Sequence, residues 1–193
     1  LQPADLASTT DFKRYRVDTD DGVSPRSIPG MKNGFYYNNS YEHDETGHVT
    51  EKPEGREKMV EKRLKKTAAI SAVAKPPVVY GDNGATVTFV TWGSTKGPVL
   101  EAIELLKEKS VSANCVHFTW MYPFPTEQTK ALLSAAKRLI DVEQNATGQL
   151  ASLIKEHAGI DITEKLLKYN GRPWYPEEII EKSVQNLSKR VSD

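Results

Sequence analysis

The rhythm of apolar and polar positions changes near residue 77. Downstream, short apolar runs bounded by turns alternate with amphipathic stretches of helical period, whereas upstream the apolar pieces are brief and scattered. Residues 86–92, rich in Thr and Val with Phe89 and Trp92, predict a short buried parallel strand. Residues 98–109 repeat Val99, Ala102, Ile103, Leu105 and Leu106 at helical spacing. A second strand is predicted over 113–120, ended by Tyr122-Pro123-Phe124-Pro125, after which Thr126 can cap a helix over 127–137. A third strand follows at 138–143, a helix at 148–157, a fourth strand at 162–169, and a last helix from Tyr175-Pro176 to about Arg190. Repeated strand-helix alternation predicts an α/β fold, a three-layer helix/sheet/helix domain with a mostly parallel sheet.

The first 55 residues carry turn chemistry instead. Asp20-Asp21-Gly22, Ser24-Pro25, Ile28-Pro29-Gly30 and Lys32-Asn33-Gly34 each reverse or extend the chain and leave room only for strands of a few residues. Such an arm cannot bury much surface alone and is expected to pack on other polypeptide. Pro53 suits the first turn of a helix running to about Ala72. Its narrow apolar stripe, Met59, Val60, Leu64, Thr67 and Ala68, reads as a surface connector, stopped by Lys75-Pro76-Pro77. The expected division is therefore 1–76, arm plus connector helix, and 77–193, the α/β domain.

Composition narrows the function. Lys plus Arg and Asp plus Glu both number 26, so zero net charge argues against nucleic acid or an anionic membrane surface as partner. Cys115 stands alone, which excludes an internal disulfide and an all-cysteine metal or cluster site built from this chain by itself, and points to the reducing cytoplasm. No apolar run approaches the roughly 18–20 residues of a membrane span. Residues 1–10 lack the pattern of a targeting peptide, and a start at Leu1 rather than Met suggests a cleavage product or an excised domain.

Candidate chemistry sits in three turns. Trp92-Gly93-Ser94-Thr95-Lys96-Gly97 follows a strand and opens a helix, where amides and the helix dipole favour an anion. Its spacing fits neither the dinucleotide fingerprint nor the Walker pattern, and it is read as a structural turn. Gln144-Asn145-Ala146-Thr147-Gly148-Gln149 is the equivalent turn after the third strand, with Glu143 and Asn145 placed to project from the carboxyl edge where open α/β sheets take ligands. The plainer reading has Asn145 or Thr147 capping the helix and Gly148 permitting close packing. The loop from Tyr41 to His48 gathers His43 and His48 with Glu42, Asp44 and Glu45. It lacks the helical spacing that fixes two imidazoles on one face, so a polar loop at an interface is preferred to a metal site. Cys115, His117 and Trp120 read as packing residues of one strand.

These motifs occur in an order of their own. Gly22 to Arg26 with Ile28-Pro29-Gly30, then Glu42 to Glu45 with Gly47-His48, then Trp92 to Gly97, Tyr122 to Pro125, Glu143-Gln144-Asn145 with Thr147 to Leu150, and Gly171-Arg172-Pro173 form a series. The series resembles the alpha subunit of 2-oxoacid:ferredoxin oxidoreductases over about residues 15–180. The resemblance implies an enzyme that converts a 2-oxoacid, coenzyme A and oxidised ferredoxin to acyl-CoA, carbon dioxide and reduced ferredoxin. It further implies that thiamine diphosphate, Mg and a [4Fe-4S] cluster lie on the beta subunit, leaving no cofactor, no catalytic residue and no metal ligand on this segment. What stands here would be the tail of a pyrimidine-type domain, followed by a domain similar to the C-terminal domain of transketolase. The expected partners are the beta subunit directly, with ferredoxin and coenzyme A at the level of the complex, and neither nucleic acid nor membrane. Interface or ligand-edge candidates are Arg26, His43, Asp44, Glu45, His48, Gly93, Ser94, Thr95, Glu143, Asn145, Thr147 and Gly148. Two alternatives stay open: a fragment of another thiamine enzyme, of transketolase or E1 type, and a stand-alone ligand-binding or assembly domain.

Overall fold

β-branched and aromatic runs bury best when sheets are covered on both faces, and in the computed structural model the central strands are so covered. The structure describes Leu6 and residues 9–190. The chain divides into two units, residues 1–73 and residues 74–193.

The second unit is a five-stranded sheet. Its strands are β1 (Val78–Gly81), β2 (Val87–Trp92), β3 (Ala113–Phe118), β4 (Leu139–Glu143) and β5 (Glu164–Leu167), in the order β1-β3-β2-β4-β5. β2, β3, β4 and β5 are parallel, and β1 pairs antiparallel with the outer edge of β3. The expected three-layer, mostly parallel architecture is present. β1 was not foreseen: four residues behind Pro76-Pro77 carry too little pattern to announce a strand, and the open edge of β3 supplies the pairing.

Helices cover both faces. α2 (Lys96–Glu108), entered through a 3-10 turn at Gly93–Thr95, lies with α5 (Pro176–Arg190) on one face; α3 (Thr126–Leu133) and α4 (Gln149–Ala158) lie on the other. In the first unit the connector helix α1 spans Pro53–Val73. Phe89, Val99, Ile103, Ile140, Val142 and Ile179 fill the α2 side. Val90, Val116, Phe118, Leu133, Leu150 and Ile154 fill the α4 side. Alternate residues of one strand thus serve opposite cores, as the two-residue period of a strand requires.

Boundaries shift where neighbours decide. The helix predicted over 127–137 ends at Leu133, with Ser134 N and Ala136 N bonding back to Lys130 O and Leu133 O. The chain then enters the sheet as Thr88 N donates to Arg138 O. α4 begins at Gln149 rather than 148 because Gly148 is left-handed, with φ 65°. β5 is trimmed to four residues by its short pairing with β4.

The first unit is built on polar main-chain contacts. Ser27 Oγ donates to Gly34 O at 2.6 Å, Ser24 Oγ to Arg16 O at 2.9 Å, and Val17 N to Glu45 Oε1 at 3.1 Å. Of the predicted stripe α1 buries Met59 but leaves Val60 and Leu64 exposed, and it buries Lys62 from outside the stripe. The reason is the close approach of Gly22, where an added Cβ would lie 2.5 Å from Lys62 O, while Lys62 Nζ donates to Gly22 O at 3.0 Å. The lysine stem takes the place of an apolar side chain under that turn.

Candidate functional site

Strand order locates the crevice before any side chain is considered. From β2 the chain leaves through α2 toward β3, and from β4 through α4 toward β5, so the two connections diverge on opposite faces of neighbouring parallel strands. That divergence at the carboxyl edge is the position where open α/β sheets take ligands. A depression of about 210 Å3 lies there, lined by Trp92, Gly93, Ser94, Thr95 and Gln144.

Several candidate residues meet at this edge. Ser94 Oγ donates to Gln144 Oε1 at 3.1 Å, and Gln144 Nε2 to Arg172 O at 3.2 Å. Thr95 turns inward, its one hydroxyl proton shared between Trp92 O at 2.6 Å and Thr91 Oγ1, and Thr91 donates in turn to Val142 O at 2.7 Å. Thr91 and Thr95 thereby tie the first turn of α2 to β4. Gly93, with φ 61° and open space where a Cβ would stand, makes the sharp exit from β2.

Glu143 does not project from the edge; it is fully buried. Its Oε2 accepts from Trp92 Nε1 at 2.9 Å and Asn145 Nδ2 at 2.6 Å, and its Oε1 from Leu150 N at 2.9 Å and Ala151 N at 3.4 Å. This carboxylate, rather than Asn145 or Thr147, caps α4, placing negative charge on the orphan amides of a helix start. Asn145 Oδ1 accepts from Thr147 N at 3.0 Å and Gly148 N at 2.8 Å, which folds the preceding turn. An added Cβ at Gly148 would come within 3.0 Å of the Lys165 stem and 3.5 Å of Asp141 Oδ2.

Asp141 is the residue that sequence reasoning missed. It lies two positions before Glu143 on the same face of β4, fully buried, with neither oxygen hydrogen-bonded by geometry. Burial first, and then the adjacent Glu143, push its carboxyl up to about 9, so it keeps its proton at neutral pH. The signal was available: Leu139-Ile140-Asp141-Val142-Glu143 puts two acids at alternate positions of a strand predicted to be buried.

On the α2 face a second polar group is withdrawn from water. His117 on β3 is only 6% exposed and neither ring nitrogen has a hydrogen-bond partner. Burial lowers its pKa, with Gly93's main chain and the Lys96 charge as smaller opposing and reinforcing influences. Cys115, two residues earlier, is buried, and desolvation pushes its thiol up to about 12. A thiol so placed is a core residue rather than a nucleophile.

The remaining candidates belong to the first unit. His43 and Val49 form the bridge of a small hairpin closed by Asp44 N donating to His48 O at 2.8 Å. Asp44 Oδ1 accepts from Thr46 N, Thr46 Oγ1 and His48 N at 2.9, 2.6 and 3.1 Å, and these bonds hold its carboxyl below the usual range against the opposing effect of burial. His43 packs on Tyr15 with ring centroids 4.0 Å apart, and His48 on Tyr37 at 4.3 Å. Glu45 accepts from Val17 N, with Lys13 Nζ 3.5 Å away. Arg26 is exposed, in the irregular stretch 23–28. These side chains order a loop, and among the described residues no cluster of three or more His, Cys, Asp and Glu converges as a metal site. Among the described residues, no helix is long and apolar enough to cross a membrane.

A family model described as pyruvate:ferredoxin oxidoreductase core domain II matches residues 85–179. The 2-oxoacid:ferredoxin oxidoreductase 2, subunit alpha, of Aeropyrum pernix is 39% identical over 172 residues, 88% of this chain and 26% of its own length. The 2-oxoacid:ferredoxin oxidoreductase subunit alpha of Saccharolobus solfataricus is 37% identical over 190 residues, 95% of this chain and 30% of its own. Among solved structures, a 2-oxoglutarate:ferredoxin oxidoreductase from Magnetococcus marinus, with 2-oxoglutarate, coenzyme A and succinyl-CoA bound, superimposes with a TM-score of 0.77 at 30% identity. The match covers 92% of this chain and 31% of that one. The chain thus spans between a quarter and a third of the length of these relatives.

Proposed function

Because the chain belongs to the 2-oxoacid:ferredoxin oxidoreductase alpha-subunit family, we propose that it is a supporting, non-catalytic portion of such an enzyme. The complete enzyme would convert a 2-oxoacid, coenzyme A and oxidised ferredoxin to acyl-CoA, carbon dioxide and reduced ferredoxin. The observation that carries this reading is the collinear match over nine-tenths of the chain, in sequence and in backbone, to one portion of alpha subunits and of a related enzyme chain. In this reading the first unit is the tail of a pyrimidine-type domain and the second a domain similar to the C-terminal domain of transketolase.

The chain's own chemistry agrees with a division of labour. A [4Fe-4S] cluster held by four thiolates does not fit one cysteine whose thiol is buried and held protonated. Those ligands, thiamine diphosphate and its Mg are assigned to the beta subunit, a cytoplasmic partner. What the α/β unit supplies is rigidity. Thr91, Thr95 and Glu143 lock the carboxyl edge to its strands, and a rigid wall helps to exclude water from a cleft between subunits.

The test is complementation. Beta subunit is combined with an alpha chain cut near Lys75, and 2-oxoacid-dependent ferredoxin reduction and subunit assembly are measured. Loss of either is expected; normal activity with normal assembly would remove the supporting role. Calorimetry on the isolated 193-residue chain is expected to show no tight binding of thiamine diphosphate.

A further inference from the structure

We propose that the amino end of α2 binds a phosphate-type oxyanion through the Lys96 ammonium, the Tyr80 hydroxyl and the His117 imidazole. This inference rests on residues of the chain itself and does not depend on the reading above. Lys96 Nζ lies 2.8 Å from Tyr80 Oη and 4.3 Å from the centre of its ring. Among the described residues no carboxylate pairs with it, although it is partly buried. Lys168, at the same edge of the sheet, is paired with Glu178 at 2.6 Å. An ammonium half withdrawn from water without a counter-charge gains from an anion in a way that Lys168 does not.

His117 supplies the independent observation. It is nine-tenths buried, neither nitrogen makes a well-formed hydrogen bond although the Gly93 main chain is near, and its ring centre lies 6.4 Å from that of Tyr80, the phenol that holds Lys96. Buried polar groups without partners are uncommon, and one beside a helix start and a lone ammonium is placed to donate to a bound anion. β1 completes the arrangement: its antiparallel register sets Val78 opposite His117 and Tyr80 opposite Cys115, which puts the phenol on the α2 face. The 13-residue helix adds the partial positive charge of its first turn. Cβ atoms added at Gly93 and Gly97 would meet nothing, so approach to that turn is open. Donors arriving from an ammonium, a phenol, an imidazole and a helix start suit a tetrahedral oxyanion better than a planar carboxylate, which presents two oxygens in one plane.

The phosphate could be free or carried by a nucleotide-type coenzyme, and one experiment separates the two. Inorganic phosphate is titrated into the 193-residue chain at constant ionic strength while NMR follows the His117 ring and the Ser94–Lys96 amides. Saturable shifts are expected, with a rise in the His117 titration midpoint that chloride does not produce. Lys96→Met, at a partly exposed site that tolerates the change, should weaken binding about tenfold or more. Tyr80→Phe should weaken it less. Coenzyme A displacing phosphate with higher affinity assigns the site to a coenzyme phosphate, and failure to displace assigns it to free phosphate. Absence of saturation, or shifts unchanged in Lys96→Met, would overturn the proposal.

Discussion

The two units of this chain are specified by different physics. In the first, the apolar side chains buried among the described residues are Leu6 and Met59, and shape comes from side chains bonded to main chain. Phe35, Tyr37 and Tyr41 stay largely exposed there. In the second, two apolar layers enclose a sheet, and of the polar groups buried with them Thr91, Thr95 and Glu143 tie the carboxyl edge together, while Asp141 and His117 make no well-formed hydrogen bond. The first is therefore expected to fail by loss of one turn at a time, and the second by loss of volume, cooperatively.

Substitutions sharpen that contrast, and the largest effect should come from the core. Phe89→Ala is expected to cost ~3–5 kcal/mol. Trp92, Trp120 and Trp174 all lie in the second unit, so a urea transition followed by tryptophan fluorescence reads this loss without contribution from the first unit. An effect on the tyrosine signal of the first unit equal to that on the tryptophans would end the distinction. Gly47→Ala should come next: its φ is 95°, and an added Cβ would run into the carbonyl of Tyr37. A loss of ~1–3 kcal/mol confined to the hairpin is expected, seen as faster amide exchange at Asp44 and Thr50 with the tryptophan transition unmoved.

Asp141→Asn should act in the opposite direction. The folded-state pKa of Asp141 is raised to about 9, so its favourable contribution is fully present below the unfolded carboxyl pKa and is lost progressively as pH rises from there through about 9. Wild-type stability should decline over this window, and the variant should decline less, gaining on the order of 1–2 kcal/mol at neutral pH. Denaturation midpoints at pH 5 and pH 8 check the sign; a variant less stable than wild type at pH 8 would refute it. The smallest effect is expected at Glu42, whose pKa is lowered first by its hydrogen bonds to Arg63, at 3.0 and 2.8 Å. Arg63 is half exposed, so Glu42→Gln should cost less than about 1 kcal/mol, mostly within the first unit. Wild-type stability from this pair is present at neutral pH and lost as pH falls through the depressed value.

Much of the α/β unit was legible because its elements are long in pattern. Phe89, Val99, Ile103 and Leu106 announce their strand and helix by period alone, and they occupy the core. β1 was not legible, since Val78–Gly81 owes its strand to the free edge of β3. The same holds for Glu143, whose place in a strand was foreseen but whose four donors come from Trp92, Asn145, Leu150 and Ala151. In the first unit the turns were readable from Gly, Pro and Asn, whereas burial of Lys62 instead of Leu64 was decided by the approach of Gly22.

Sequence by itself determined the alternation of strands and helices, the single cysteine, the zero net charge and the order of motifs that places the chain in its family. Tertiary structure alone decided which buried polar groups are satisfied: Glu143 by four donors, Asp141 and His117 by none. The physical reason is that periodicity is a property of consecutive residues, while the electrostatic state of a buried group depends on partners delivered from distant strands and turns.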